Sequence, residues 1–86
     1  MISVLTVNYF AADDLARLID SLRRHAAGHD IELIITNNSR DERLAFDRDP
    51  ELPVTVIPSP NIGFACGINL ACRRARGDLL FIANPD

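Results

Sequence analysis

The sequence lacks most of what assigns a short chain to a specialised class. Its two cysteines, Cys66 and Cys72, lie too close together for a disulfide framework, and no CxxC occurs. That usage points to a reducing, cytoplasmic setting. No apolar run exceeds about five residues, the length of Leu79 to Ala83, whereas a membrane-spanning helix needs roughly 20. Met1 to Asp14 has neither a basic start nor a cleavage pattern, so no signal peptide is read there. Positive charge is not in excess. Lys and Arg number 9 against 12 Asp and Glu, a net charge of −3, and the isoelectric point is near 5.2. The electrostatic footprint of a nucleic-acid or anionic-membrane binder is therefore absent. No internal repeat or low-complexity tract is present either. What remains is 86 residues, 48% hydrophobic and 24% charged. That is the balance of one globular domain, shorter than the usual roughly 100–150 residues but able to fold alone.

The hydrophobic period changes along the chain and so divides it. Ile2, Val4, Leu5 and Val7 form a β-branched apolar run closed by Asn8. Ile31, Leu33, Ile34 and Ile35 form a second, Val54, Val56 and Ile57 a third between prolines, and Leu79 to Ala83 a fourth. Apolar runs without alternation suit strands buried on both faces of a parallel sheet. Between them, Leu15, Leu18, Ile19, Leu22 and Ala26 make a single helical stripe. Asp13 and Asp14 complement the N-terminal end of that helix, Arg23, Arg24 and His25 its C-terminal end, and Gly28 stops it. A second helix is expected from Gly63 to Arg76, with Phe64, Ile68, Ala71, Cys72 and Ala75 inward and Gly77 at its C′ position. Ser39 to Phe46 is read as a short helical turn, and Asp47 to Pro53 as a loop with nothing to bury. The order β-α-β-(α)-β-α-β makes an open α/β sandwich with right-handed crossovers. The fourth strand is expected to leave a bare apolar sheet edge, which invites pairing with another chain.

Ligands of open α/β sheets bind beyond the C-terminal ends of the strands. Here those ends are Asn8-Tyr9, Thr36-Asn37-Asn38-Ser39, Pro58 to Asn61 and Asn84-Pro85-Asp86. Three of the four are rich in Asn, Ser or Asp, which suits a polar cleft and is also simply what turns contain. Gly63 opens the second helix, where free backbone N–H groups can meet a phosphate. The segment is neither a Walker A sequence nor GxGxxG, and Gly63 and Gly67 could equally serve close helix–sheet packing. His25 and His29 read as exposed helix-end residues rather than a metal pair. Arg73, Arg74 and Arg76 read as complements to the helix C-terminus. Cys66 and Cys72 read as small buried hydrophobes.

Four ordered motifs make the chain resemble the N-terminal part of an inverting family 2 glycosyltransferase of GT-A fold, closest to rhamnosyltransferase-like members. They are Val7-Asn8-Tyr9, then Thr36-Asn37-Asn38-Ser39-Arg40-Asp41, then Asn61, Gly63, Phe64, Gly67 and Asn69, and finally Gly77-Asp78 leading to Asn84-Pro85-Asp86. The resemblance covers nearly the whole chain. It implies a Rossmann-like, mostly parallel sheet of order 3-2-1-4 with helices on both faces, the first and fourth strands meeting at the topological switch point. It also implies a UDP- or dTDP-sugar site there, with Asn8, Tyr9, Thr36, Asn37 and Ser39 around the nucleoside. Asn61, Gly63 and Asn69 would lie near the ribose and diphosphate, with Asn84 beside them. Asp86 would ligate Mn²⁺ or Mg²⁺, hard cations that prefer carboxylate and phosphate oxygens.

Two positions depart from the family pattern. Thr36 replaces the acid that commonly accepts the imide N–H of the base, and Phe10 stands where many members have Asn. The acceptor, a glycan or lipid-linked chain of polysaccharide biosynthesis, and the general base belong in the family to sequence beyond the metal motif. Residues 1–86 are therefore expected to be an incomplete donor-binding domain that does not transfer sugar alone. Two rival readings stay open: a non-catalytic nucleotide-binding module, and an interaction module that pairs through its fourth strand.

Overall fold

A computed structural model describes residues 1–26, 28–39, 43–60 and 63–85. The elements are β1 (Ile2–Asn8), α1 (Ala12–His25), β2 (Ile31–Asn37), β3 (Val54–Pro58), α2 (Phe64–Arg74) and β4 (Leu79–Ile82). All three strand pairings are parallel and the sheet order is β3-β2-β1-β4. This is the open α/β architecture expected from the pattern of runs and stripes, with the Rossmann-like strand order expected from the family resemblance. No described helix is long and apolar enough to cross a membrane.

Alternation along β1 and β2 builds two cores, one on each face of the sheet. Val4, Leu33 and Ile35 face Leu15 and Ile19 of α1. Leu5, Val7 and Ile34 face Ile68 and Ala71 of α2. Because both faces are covered, both alternating sets of side chains on the two central strands carry buried apolar residues. At α1, Asp13 and Asp14 occupy the first turn and Arg23, Arg24 and His25 the last, both matching the helix dipole. Gly28, at φ +83°, turns the chain away after it.

Several expectations are corrected. β4 is not buried: Leu79, Leu80, Phe81 and Ile82 are 64%, 49%, 62% and 57% exposed. The helices lie over the central strands, and an apolar run reports the capacity for burial, not the presence of a cover. Helix α2 ends at Arg74, with Ala75 already extended, two residues before the expected stop. The Arg76 N–H is drawn instead to the Glu32 carboxylate at 2.6 Å, and the Gly77 N–H to the Ser3 hydroxyl at 2.8 Å. Gly77 is thus not a left-handed cap. It lies so close to β1 that a Cβ there would stand 2.6 Å from the Met1 carbonyl oxygen. Phe64, Cys66 and Cys72 are exposed, contrary to the inward reading, and both thiols are free. The turn expected over 39–46 lies partly outside the described residues, and 43–46 form no helix. Residues 47–53 form no helix or strand, as expected, yet Leu52 is buried in the α1-side core.

Candidate functional site

The strand ends β1 and β2 are tied by a small hydrogen-bond network centred on Asn8. Its side-chain N–H donates to Asn37 Oδ1 at 3.0 Å and to Ser39 Oγ at 3.4 Å. Its Oδ1 accepts the Ala11 N–H at 3.1 Å, which anchors the start of α1. Asn37 Oδ1 also accepts the Ser39 N–H at 3.1 Å, and Ser39 Oγ accepts the Phe10 N–H. The backbone joins in, with the Asn38 N–H donating to the Asn8 carbonyl at 2.8 Å. Together these bonds fold residues 8–11 into a turn with Phe10 at φ +51°. That conformation is uncommon for a side chain of this size. Tyr9 and Phe10 project from the turn, exposed, ring edge against ring face at 5.0 Å.

Side-chain alternation then separates the residues that follow β2. Asn37 belongs to the Asn8 network, whereas Thr36 points under α2. Thr36 is fully buried and its hydroxyl donates to the Gly67 carbonyl at 2.7 Å. Asn38 has the same parity as Thr36 and is also buried.

Two clefts open at this edge of the sheet. One, of about 320 Å³, lies where β1 and β4 diverge and is lined by Val7, Tyr9, Ala11, Asn38, Phe64, Asn84 and Pro85. This is the topological switch point, since β1 leads to β2 on one side and meets β4 on the other. The second, of about 370 Å³, is lined by Asn37, Ser39, Pro58, Ser59 and Pro60. Thus Tyr9 and Asn84 share the first cleft, and Asn37 and Ser39 line the second. Gly63, at φ +90°, immediately precedes α2, whose first turn carries Phe64 to the first cleft. Thr36 and the exposed Asn69 line neither cleft. Asn61 and Asp86 lie outside the described residues. A larger hollow of about 660 Å³ runs beside β3 past Leu44, Phe46 and Val56 and holds none of the expected site residues.

The first cleft carries no charged side chain among its lining residues. It offers two aromatic rings, carboxamides and apolar walls, equipment for holding a ligand rather than for moving its protons. Among the described residues no three His, Cys, Asp or Glu side chains come together as a metal site. The described part of the site therefore does not make a cation centre by itself, and the metal expectation rests on Asp86.

Sequence reasoning missed Asn38 and Phe64 as cleft residues. The signal for Asn38 was its parity with Thr36, which sends it to the α2 side. Reasoning also missed Glu32, which lies near the N-terminal end of β2, away from the site. Glu32 is 2% exposed, accepts the Ser3 hydroxyl at 2.6 Å and pairs with the Arg76 guanidinium at 3.2 Å. Burial raises its pKa, but the hydrogen bonds from Ser3 and Arg76 outweigh that and hold it below the ordinary glutamate value.

A protein-family model described as Glycosyl transferase family 2 matches residues 3–86. A protein of Haemophilus influenzae named "Uncharacterized glycosyltransferase" is 31% identical over 88 residues. That similarity takes in 100% of this chain and 30% of the relative, so the chain spans less than a third of the curated relative's length. No solved structure matches.

Proposed function

Because the chain belongs to glycosyl transferase family 2, we propose that it is the donor-binding part of an inverting transferase. The donor is a UDP- or dTDP-linked sugar such as rhamnose, and the acceptor a glycan or a lipid-linked chain. The observation that carries this reading is the cleft at the β1–β4 switch point, walled by Tyr9, Phe64 and Asn84. In this reading the nucleoside enters beside Tyr9. Asn8, Asn37 and Ser39 shape the loops around it, and Thr36 supports them from below through Gly67. Asn61, Gly63 and Asn69 belong to the segment nearest the diphosphate, where the first backbone N–H groups of α2 have no intrahelical partner.

Asp86 is the residue proposed to hold Mn²⁺ or Mg²⁺ together with the diphosphate, one carboxylate and phosphate oxygens being a usual environment for Mg²⁺. Such a cation would neutralise charge on the leaving diphosphate. An inverting transfer also needs a base to take the acceptor's hydroxyl proton. None of the residues lining the cleft is one, so in this reading the base stands elsewhere. A cytoplasmic setting suits two exposed free thiols.

The test is calorimetric titration with UDP and with dTDP, each with and without Mn²⁺. The reading expects saturable binding that Mn²⁺ strengthens, and loss of that metal-dependent gain in Asp86→Ala. Absence of binding by either nucleotide at millimolar concentration contradicts it.

A second reading, not exclusive of the first, is favoured by β4. An edge strand whose four side chains are all about half exposed or more is a template for pairing. In that reading β4 aligns with the edge of a second copy, and light scattering shows mass rising with concentration. A strictly monomeric chain counts against it.

A further inference from the structure

The strand that delivers Asn84 to the switch-point cleft has little packing to hold it in place. Among the described residues, no side chain of β4 joins either core cluster, and Leu79 to Ile82 are all about half exposed or more. Register is strongly specified where one face of a strand is buried and weakly specified where neither is. For β4 the register nevertheless decides what reaches the cleft, because Asn84 and Pro85 follow the strand closely and line that cleft. A slip of one residue would move them by about 3.3 Å and turn each side chain to the opposite face.

What fixes the register lies at the strand's entry. The Arg76 N–H donates to Glu32 Oε2 at 2.6 Å, the Gly77 N–H to Ser3 Oγ at 2.8 Å, and the Asp78 N–H to the Met1 carbonyl at 3.0 Å. Three consecutive N–H groups are thereby assigned to fixed acceptors before β4 begins. Ser3 Oγ donates in turn to Glu32 Oε2 at 2.6 Å, so the two side chains act as one unit. They are paired across β1 and β2, and Ser3 is also the β1 residue paired with Leu80. Gly77 has no room to slide, since a Cβ there would stand 2.6 Å from the Met1 carbonyl oxygen and 2.7 Å from Ser3 Oγ. Glu32 is buried, and a buried carboxylate is a costly way to add stability. The best attested use of such groups is to select one register among several.

We propose that Glu32 is a positioning residue for the donor site: with Ser3 it locks the register of β4 and so sets Asn84 and Pro85 in the cleft. The assignment rests on the donor-site reading above. Glu32 touches no nucleotide and acts along the length of β4.

The test compares the parent with Glu32→Leu and Glu32→Gln. Cross-strand proton contacts of the Ile2–Leu79 and Leu5–Ile82 pairs are read by NMR without ligand, and UDP is then titrated in. In Glu32→Leu the signals of α1 and of the β1–β2 ladder persist, while those two pairs are lost or replaced by neighbouring ones. UDP then binds about tenfold more weakly, the worth of about one hydrogen bond. Glu32→Gln retains an oxygen that accepts from Ser3 and Arg76, and so keeps both the pairs and the affinity. A merely structural Glu32 would lower the melting temperature of Glu32→Leu and leave pairs and affinity as in the parent. Either that result or a changed register with unchanged affinity overturns the assignment, while UDP binding by the parent still supports the donor site. Failure of UDP to bind the parent overturns the donor-site reading itself, and the register, read without ligand, still decides whether Glu32 sets β4. Should Glu32→Leu not fold, Ser3→Ala takes its place, because it removes the acceptor of the Gly77 N–H. Loss of the Ile2–Leu79 pair is expected there too, and an unchanged pair overturns the assignment.

Discussion

The side-chain N–H of Asn8 meets Asn37 Oδ1 at 3.0 Å, clamping the last residue of β1 to the last residue of β2. The same Asn8 accepts the Ala11 N–H at 3.1 Å, so one buried carboxamide sets both the sheet's edge and the turn that presents Tyr9. Asn8→Ala removes these bonds together. The expected loss is about 1–3 kcal/mol, read as a lower urea midpoint with an unchanged slope. Nucleotide affinity should fall as well, because the turn is no longer held. A midpoint equal to the parent's would show that the clamp contributes nothing.

Glycine at two positions is required for different reasons. At Gly67 a Cβ would stand 2.7 Å from Cγ2 of Val7 and 3.3 Å from its Cγ1. Val7 is packed in the core and has little room to yield. Gly67→Ala should cost about 1–3 kcal/mol by overpacking and lift the start of α2 off the sheet. At Gly63 there is open space, but φ is +90°, so Ala is strained by about 1–3 kcal/mol through the backbone alone. Both variants should melt lower. Only Gly67→Ala should perturb the amide signals of β1 around Val7.

Stability in acid should depend on Glu32. Its folded pKa is held below the ordinary value of about 4.5, so the unfolded chain takes up a proton more readily. The stabilisation is therefore present above the ordinary value and drains away as pH falls through the folded value. Comparing chemical denaturation from pH 7 to pH 3, Glu32→Gln should lose stability less steeply than the parent across the acid range. Parallel curves would mean that the bonds to Ser3 and Arg76 do not bias the carboxylate.

The exposed β4 makes a prediction about association. Phe81→Lys places a charge on an edge strand, a device that blocks strand pairing. If β4 pairs with a second copy, the variant should stay monomeric at concentrations where the parent does not. Equal masses for the two proteins, by light scattering, would remove β4 from any association.

Much of this fold was legible in the chain. The change from β-branched apolar runs to a 3.6-residue stripe marked α1 and the four strands. Right-handed parallel crossovers, together with the family motifs, left 3-2-1-4 as the expected order. What could not be read were contacts between residues far apart in sequence. Helix α2 stops early because Glu32, more than forty residues upstream, captures the Arg76 N–H, and no local rule carries that information. β4 looks like a buried strand because its composition is one, although nothing described covers it. At the site, Tyr9, Asn38 and Asn84 all stand at strand ends, where an open α/β sheet places its cleft, but only the folded arrangement separates these lining residues from Thr36, which is turned under α2.

A nucleotide bound in the cleft between β1 and β4 should leave its mark on backbone amide NMR spectra during titration with UDP, with and without Mn²⁺. Shifts are expected at Tyr9, Asn38, Gly63 and Asn84, with α1 and the Ser3–Glu32–Arg76 contacts undisturbed. Shifts confined to the hollow beside β3, or none at millimolar nucleotide, would rule out a nucleotide in this cleft.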